Sequence, residues 1–175
     1  MLEAIMYDQI LYPTDGSTGS EAAAEHAQLL ASTFDATVHV VHVVDTRHTG
    51  LGMSGAFLSE DGPGLSGKDE GGGDAGMVGE RPDFEEMDDA LTERGASLVE
   101  EAAAAFGDTD TVTAVRMGNP HSVILEYADD NDIDLIVMGT HGRTGVERYL
   151  IGSVTEKVVR LADPPVVTVR ADHDE

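Results

Sequence analysis

Short apolar runs alternate along this chain with longer stretches of helical periodicity. Five runs have the length and the β-branched or apolar composition of buried strands, at 9–12, 37–44, 111–117, 134–138 and 166–169. Between them, apolar residues recur at every third or fourth position, which is the spacing of one helix face. The succession of strand and helix predicts an α/β fold: a doubly wound, five-stranded parallel sheet with helices on both faces.

Four predicted helices cover this sheet. The first has the Thr18 to Glu21 spacing of a capping box, and the third has Asn119 in the capping position before Pro120. Gly95 is expected to weaken the second helix by roughly 1 kcal/mol relative to alanine. The residues expected to face the sheet are Ala23, Ala27, Leu30, Phe34, Phe84, Met87, Leu91, Leu98, Ala102, Val123, Ile124, Tyr127, Val154, Val158 and Leu161.

One segment, from about residue 46 to residue 80, departs from the alternation. It has eleven glycines between residues 50 and 79 and almost no apolar periodicity, so we interpret it as a flexible insertion. Helical spacing resumes at Pro82, and residues 1–175 are predicted to form a single domain. Gly62 to Asp69 resembles a P-loop, but Asp69 replaces the magnesium-binding Ser or Thr and no strand precedes the motif.

Composition excludes several classes of protein. The absence of cysteine excludes disulfides and thiolate metal sites. It also agrees with a cytoplasmic protein, which is the expected location. Apolar runs are too short to span a bilayer, and residues 1–7 lack the features of a signal peptide. The net charge of −24 leaves no basic surface for nucleic acid. We interpret this acidity as an adaptation to high salt, in which repulsion between carboxylates is screened.

The segment from Met138 to Ser153 is the strongest candidate for a binding site. It joins a buried strand to a helix and contains Gly139, Gly142 and Gly152. At such a turn, backbone N–H groups and the helix dipole favour an anion, and missing Cβ atoms let it approach. Residues 139–160 carry four Arg or Lys and two Glu, a local charge of 4 − 2 = +2 in a chain of −24. The pattern predicts a phosphate site.

Two other loops leave strands at the same edge of the predicted sheet. Asp15 follows the first strand and could bind a ribose hydroxyl or cap the next helix. Val43 lies near the end of the second strand, where backbone groups could face a base. Ser153 could contact phosphate while capping its helix, and His141 could donate to phosphate or face solvent. The arginines of the glycine-rich segment could instead pair with nearby carboxylates.

Neither a metal site nor a catalytic residue is predicted. His39 and His42 are three positions apart on a strand, so their side chains point to opposite faces and do not share an ion. The acidic run at 129–132 lacks the glycine and the distal glutamate of an EF-hand and indicates a solvated turn. No nucleophile has an evident base, although slow ATP hydrolysis through positioning and a metal stays open.

Several motifs together resemble the universal stress protein family. The spacing Gly139-x2-Gly142-x9-Gly152-Ser153 is similar to the nucleotide-binding signature of that family. Residues 10–17, 42–45 and 153–158 are similar to its first strand and turn, the end of its second strand and its last helix. The resemblance covers the chain except for the glycine-rich insertion.

The resemblance implies a strand order of 3-2-1-4-5, a Rossmann-like fold and a homodimer, which would form through the C-terminal strand Val166–Val169. It also implies ATP binding, with Asp15 on the ribose and the backbone of Val43 on the adenine. The full set of expected nucleotide-binding residues is Pro13, Thr14, Asp15, Val43, Met138, Gly139, His141, Gly142, Arg143, Gly152, Ser153 and Val154.

Three functional hypotheses follow from the sequence. The first is a stress-response or signalling protein that binds ATP, or alternatively AMP or ADP. Under this hypothesis the nucleotide binds either with or without Mg²⁺. The second is a slow ATPase on the same fold. The third is a dimeric interaction module that retains no nucleotide.

Overall fold

The predicted succession of strands and helices is confirmed. A computed structural model describes residues 6–46, 84–140 and 151–171, and the side chains of the second helix from residue 86 onward. Pro82 and the predicted insertion beyond Thr46 lie outside the described residues. The elements are β1 (Gln9–Pro13), α1 (Thr18–Phe34), β2 (Thr37–Asp45), α2 (Phe84–Ala104), β3 (Thr111–Gly118), α3 (Pro120–Asp130), β4 (Leu135–Gly139), α4 (Ser153–Leu161) and β5 (Val166–Val169).

The five strands form one parallel sheet in the order β3-β2-β1-β4-β5, which confirms the predicted order. In register, Gln9 lies opposite Thr37 on one side of β1, and Ile10 lies opposite Leu135 on the other. The chain adds β2 and β3 on one side of β1 and β4 and β5 on the other. The strand order therefore reverses between β1 and β4, and in open α/β sheets a ligand crevice forms at the carboxyl ends of such a pair.

Two apolar layers hold helices on both faces of the sheet. One layer joins α1 and α2 to alternate residues of the central strands, including Ile10 and Val38. The other joins α3 and α4 to the residues between them, including Leu11 and Val41. Because the inner strands are covered on both faces, they are apolar at nearly every position and do not alternate with polar residues.

The first turn of α1 corrects the predicted capping box. Ser17, not Thr18, is the N-cap, and its Oγ accepts a hydrogen bond of 3.3 Å from the backbone N–H of Ser20. Asn119 does occupy the N-cap position of α3, as predicted, but its side chain makes no capping bond. The boundary of α3 is set by backbone geometry and Pro120 rather than by the amide of Asn119.

Two of the residues expected to face the sheet are exposed. Met87 is 44% exposed and Leu161 is 58% exposed. Among the described side chains of α2, the first buried position is Gly95, and Val99 follows it one turn later. In α4, Thr155 and Val158 are the buried residues, and Leu161 lies about 60° from Val158 around the helix. The prediction was wrong because it placed the buried face of α4 too far towards Leu161.

Gly95 has a packing role that the sequence did not indicate. A Cβ at this position would lie 2.9 Å from Cγ1 of Val115 and 3.1 Å from Cδ2 of His42. Real Cβ contacts are rarely this short, so the missing side chain lets α2 approach β2 and β3 closely. The expected cost in helix propensity is therefore offset by contact with the sheet.

Candidate functional site

The turn after β1 is fixed by hydrogen bonds around Thr14, which is buried. Its backbone N–H donates to the carbonyl of Val41 at 2.8 Å, which extends the pairing of β1 with β2 by one residue. Its Oγ1 donates to Oγ of Ser20 at 3.1 Å and accepts from the N–H of Gly16 at 3.2 Å. Gly16 has φ 73°, a left-handed conformation that glycine adopts without strain. The turn is thus tied to both β2 and the start of α1.

Asp15 lies in this turn with its carboxylate oriented by the backbone. Its Oδ1 accepts from the N–H of Ser17 at 3.0 Å, which closes an Asx turn. Because Ser17 fills the N-cap position, Asp15 is not the N-cap of α1, and its contact with a ribose stays a prediction. Asp15 lies at the carboxyl edge of the sheet, directly after β1.

Beneath this turn, Tyr12 links β1 to α1. Its hydroxyl donates to the carbonyl of Ser20 at 2.6 Å, and its ring contacts Phe106 at a centroid distance of 5.5 Å. Burial raises the pKa of the Tyr12 phenol above its usual value, so it remains a neutral donor under the site. This bond fixes the first turn of α1 relative to the sheet.

The two histidines of β2 point to opposite faces of the sheet, as predicted. His42 donates through Nδ1 to the carbonyl of Thr14 at 2.8 Å, on the face that carries α2. On the other face, His39 contacts the hydroxyl of Tyr127 through Nδ1 at 2.9 Å and Oε1 of Gln9 through Nε2 at 2.7 Å. The two rings therefore have different partners, and only His42 touches the candidate site.

His39 is held neutral in the layer under α3. It is 7% exposed, and desolvation lowers its pKa below the usual 6.5. A neutral ring that donates from Nε2 and accepts at Nδ1 satisfies both of its partners. On the neighbouring strand, the guanidinium of Arg116 lies over the Tyr127 ring, 5.4 Å from its centroid. His39 is thus a structural residue.

The end of β4 lies against the start of α1. A Cβ at Gly139 would lie 2.5 Å from the carbonyl carbon and oxygen of Gly19 and 3.0 Å from the nitrogen of Ser20. All three are backbone atoms, so a side chain at this position has no room. The packing of β4 on α1 therefore already accounts for glycine at 139, whether or not a phosphate also approaches it.

The start of α4 is fastened to the same end of β4. The N–H of Gly152 donates to the carbonyl of Thr140 at 2.6 Å, and Oγ1 of Thr155 donates to the carbonyl of Gly139 at 2.8 Å. The N–H of Thr140 in turn donates to the carbonyl of Val169 in β5 at 2.9 Å. These bonds hold the amino end of α4 at the carboxyl edge of the sheet.

Among the described residues, no side chain caps the amino end of α4. Its N-cap residue is Gly152, which has no side chain to bond the first N–H groups, and Ser153 is the first helical residue rather than the cap. The first N–H groups of any α-helix lack partners within the helix, and its dipole is positive at this end. The arrangement is suited to an anion that accepts several hydrogen bonds.

The remaining predicted residues divide into three groups. Pro13 and Met138 are buried, and Val43 and Val154 are partly buried against the layer under α3 and α4, so their side chains pack beneath the site. Ser153 is exposed at the start of α4. The other predicted contacts lie outside the described residues, namely His141, Gly142 and Arg143.

One of the four basic residues counted between residues 139 and 160 has a carboxylate partner, and the local charge of +2 already includes both members of this pair. Arg160 forms an ion pair with Glu156 at 2.8 Å, one turn apart on the exposed face of α4. It lies in the last turn of the helix, far from the amino end. The alternative that an arginine simply pairs with a nearby carboxylate is therefore confirmed for Arg160.

Sequence reasoning missed four residues that build the site. Ser20 and Thr155 are buried polar residues whose hydroxyls tie helix starts to strand ends, and His42 and Thr140 join neighbouring loops. One signal was available for Ser20, which is a polar residue at an inward position of an alanine-rich helix. The others depend on which loops become neighbours in space, and no local pattern shows that.

An acidic depression of about 380 Å³ lies elsewhere, and Asp129, Asp132, Asp134 and Asp163 line it. It is at the amino edge of the sheet, opposite the site described above. Asp134 has a structural role there. Its Oδ2 accepts hydrogen bonds of 2.9 Å from the N–H groups of Asp8 and Gln9, which ties the start of β1 to the start of β4. Across residues 6–46, 84–140 and 151–171, no three His, Cys, Asp or Glu side chains converge as a metal site would require. In those same ranges, no helix has the length and apolar character needed to cross a membrane.

The strand order β3-β2-β1-β4-β5, with helices on both faces of the sheet, defines a doubly wound, Rossmann-like α/β domain. The amino end of α4 lies beside β4, where this order reverses. The chain belongs to the universal stress protein family, whose model matches residues 6–170. It is 31% identical over 170 residues to universal stress protein MJ0577 of Methanocaldococcus jannaschii, covering 95% of this chain and 97% of that one. The solved structure of MJ0577 has a TM-score of 0.73 and 27% identity, covering 97% of this chain and all of that one.

Two further solved structures share the fold at lower identity. One is a universal stress protein in complex with cAMP, with a TM-score of 0.57 and 21% identity over 96% of this chain and 100% of that chain. The other is a universal stress protein from Archaeoglobus fulgidus in complex with dAMP, with a TM-score of 0.51 and 18% identity over 94% of this chain and 99% of that chain.

Proposed function

We propose that this universal stress protein binds an adenine nucleotide at the carboxyl ends of β1, β2 and β4. ATP is the proposed ligand, with ADP or AMP as smaller members of the same class, and Mg²⁺ would enter as the counter-ion of the phosphates. The bound nucleotide would bias the shape or partner choice of a cytoplasmic stress-response module. The observation that carries the proposal is the amino end of α4, whose N-cap residue is a glycine without a capping side chain and which is held where the strand order reverses.

The described residues fit each part of such a ligand. A phosphate would accept from the N–H groups of Ser153 and Val154, in the first turn of α4, and would complement the helix dipole. Asp15 would bind the ribose hydroxyls, and the backbone near Val43 would face the adenine. His141, Gly142 and Arg143 complete the proposed set. The complexes of two relatives with cAMP and dAMP support the choice of an adenine nucleotide.

A pair of isosteric substitutions at Gly152 tests the phosphate site without damaging the helix. Gly152 has φ −56° and ψ 149°, which residues with side chains adopt readily, and both Asp and Asn are good N-cap residues. Gly152→Asp and Gly152→Asn should therefore keep the stability of the wild type or raise it by up to about 1 kcal/mol. Only the aspartate places a negative charge where the phosphate would bind.

We expect Gly152→Asp to bind ATP at least tenfold more weakly than Gly152→Asn, because two unit charges about 4 Å apart repel by several kcal/mol near a protein surface. Adenosine, which has no phosphate, should bind the two variants equally. Calorimetric titration measures both affinities. Equal ATP affinity in the two variants would show that no phosphate approaches α4.

Mass spectrometry of the native protein asks whether a nucleotide is present at all. The protein should be purified without added nucleotide in molar KCl, since the net charge of −24 makes polyanion binding depend on screening. A bound mass of ATP, ADP or AMP is expected in the wild type and absent from Gly152→Asp. Inorganic phosphate released by the same samples measures any slow ATPase activity. No bound nucleotide and no titratable affinity would refute the proposal.

The proposed assembly is a homodimer through β5. This strand lies at an edge of the sheet, and no described strand pairs with its outer side. Thr168 is exposed, as is Thr113 on β3 at the opposite edge. Thr168→Lys should shift the sedimentation profile from dimer to monomer through like-charge repulsion across the twofold axis, whereas Thr113→Lys should not. A dimer that survives Thr168→Lys and dissociates in Thr113→Lys would place the interface on β3.

A further inference from the structure

We propose that His42 is a positioning residue of the nucleotide site: its imidazole fixes the peptide between Thr14 and Asp15 so that the turn receives the nucleoside, and Gly95 of α2 provides the space for the ring. The inference rests on the proposed nucleotide function and adds a residue to it. His42 would not touch the ligand and would act through the turn.

The bond from His42 engages the carbonyl of Thr14, and the other polar groups of Thr14 have different partners. Its N–H is bonded to the carbonyl of Val41, and its Oγ1 is bonded to Ser20 and Gly16. The carbonyl oxygen accepts from Nδ1 of His42 at 2.8 Å. Since a carbonyl only accepts, Nδ1 must be the protonated nitrogen.

The direction of that carbonyl also sets the direction of Asp15. The peptide group is planar, so the Thr14 carbonyl and the Asp15 nitrogen turn together. Asp15 begins at this peptide. Its carboxylate accepts a hydrogen bond from the N–H of Ser17, two residues further along the turn. Loss of the His42 bond would let the peptide rotate and would move the proposed ribose ligand.

Close packing by α2 restricts the imidazole ring from behind. A Cβ at Gly95 would lie 3.1 Å from Cδ2 of His42 and 2.9 Å from Cγ1 of Val115. The helix thus lies against the ring with no side chain between them. Gly95→Ala should push the ring and Val115 away, and so weaken the bond to Thr14 although alanine favours the helix.

His39 is a matched control on the same strand. It is three residues from His42, is more deeply buried, and bonds Tyr127 and Gln9 on the opposite face. Its loss should lower stability without changing the Thr14 turn. Comparison of the two histidines therefore separates a general loss of stability from a specific effect on the site.

The experiment compares His42→Ala, His42→Asn and His39→Ala with the wild type, each with full-length protein. The amide of asparagine can place a donor near the position of Nδ1, so His42→Asn should restore the bond. ATP affinity is measured by calorimetric titration below every melting temperature, and stability is measured by urea unfolding. Loss of one hydrogen bond predicts about tenfold weaker ATP binding for His42→Ala.

We expect His42→Asn to recover most of that loss and His39→Ala to bind ATP within about twofold of the wild type despite lower stability. Hydrogen exchange of the Gly16 amide, which bonds Thr14 in the ligand-free protein, should be faster only in His42→Ala and Gly95→Ala. Equal ATP affinity in His42→Ala and the wild type, or affinity that follows stability across all variants, would overturn the inference. If the wild type binds no nucleotide, the proposed function fails, and unchanged Gly16 exchange in His42→Ala would separately refute the positioning role.

Discussion

The glycine at 139 offers a direct test of the tertiary contact at the centre of the site. In Gly139→Ala, the added methyl carbon would lie 2.5 Å from the carbonyl carbon and oxygen of Gly19 and 3.0 Å from the nitrogen of Ser20. Ordinary contacts between carbon atoms are about 3.5–4.0 Å, so β4 and α1 must separate by about 1 Å. The atoms in contact belong to a helix backbone and have no rotamer through which to move away.

Overpacking of this kind costs about 1–3 kcal/mol, and we place Gly139→Ala near the upper limit because backbone must move. For a chain of this length, roughly 3 kcal/mol corresponds to a fall of about 6–12 °C in melting temperature. The matched control is Gly107→Ala, which also adds one methyl group. A Cβ at Gly107 meets no atom within 4 Å, and only its φ of 59° opposes alanine. That backbone strain is about 1 kcal/mol, or a fall of about 2–4 °C.

Thermal unfolding followed by circular dichroism in molar KCl measures both variants. The expected order of melting temperatures is wild type, then Gly107→Ala, then Gly139→Ala well below both. If Gly139→Ala melted at or above the temperature of Gly107→Ala, the close approach of β4 to α1 would be wrong, and glycine at 139 would have to be explained by the ligand alone.

Two further predictions concern the cap of α1 and the buried histidine. Ser17→Ala should lower the free energy of unfolding by about 1 kcal/mol in urea titrations, because it removes the N-cap, whereas Thr18→Ala should change it by less than about half of that; the reverse order would restore the capping box at Thr18. The depressed pKa of His39 predicts stability that is fully present above its unfolded value of 6.5 and is lost as the pH falls from there through the folded pKa, since the unfolded chain then binds the proton more readily. Urea titrations from pH 8 to pH 5 should therefore show a steeper loss in the wild type than in His39→Gln, and equal slopes would contradict the burial of a neutral ring.

The two histidines of β2 show how residues of one type on one strand take different roles. Both are polar residues in a β-branched run, and the sequence indicated only that they point in opposite directions. The faces of the sheet then decide their surroundings: His39 lies in the layer under α3 and is held neutral, while His42 reaches the carbonyl of Thr14. Only the second can influence the edge of the sheet at which a nucleotide is proposed to bind.

Local pattern was sufficient for the fold class and for most of the elements. Buried parallel strands are apolar at nearly every position because helices cover both faces, and the runs at 37–44 and 134–138 show this without any structure. The loops that follow strands were also identifiable, because Gly, Asp and Ser collect where the chain turns at the carboxyl edge of such a sheet. The Thr14 turn and the segment beginning at Gly139 were both predicted in this way.

Tertiary structure decided what these residues contact. Gly139 was expected to make room for phosphate, but its missing Cβ is first required by the backbone of α1. Gly95 was expected only to weaken α2, yet it lets the helix lie against His42. Ser17 rather than Thr18 caps α1, and Thr155 anchors α4 to β4. Each of these outcomes depends on a close approach between elements distant in sequence or on a single turn of backbone, and apolar periodicity has no information about either.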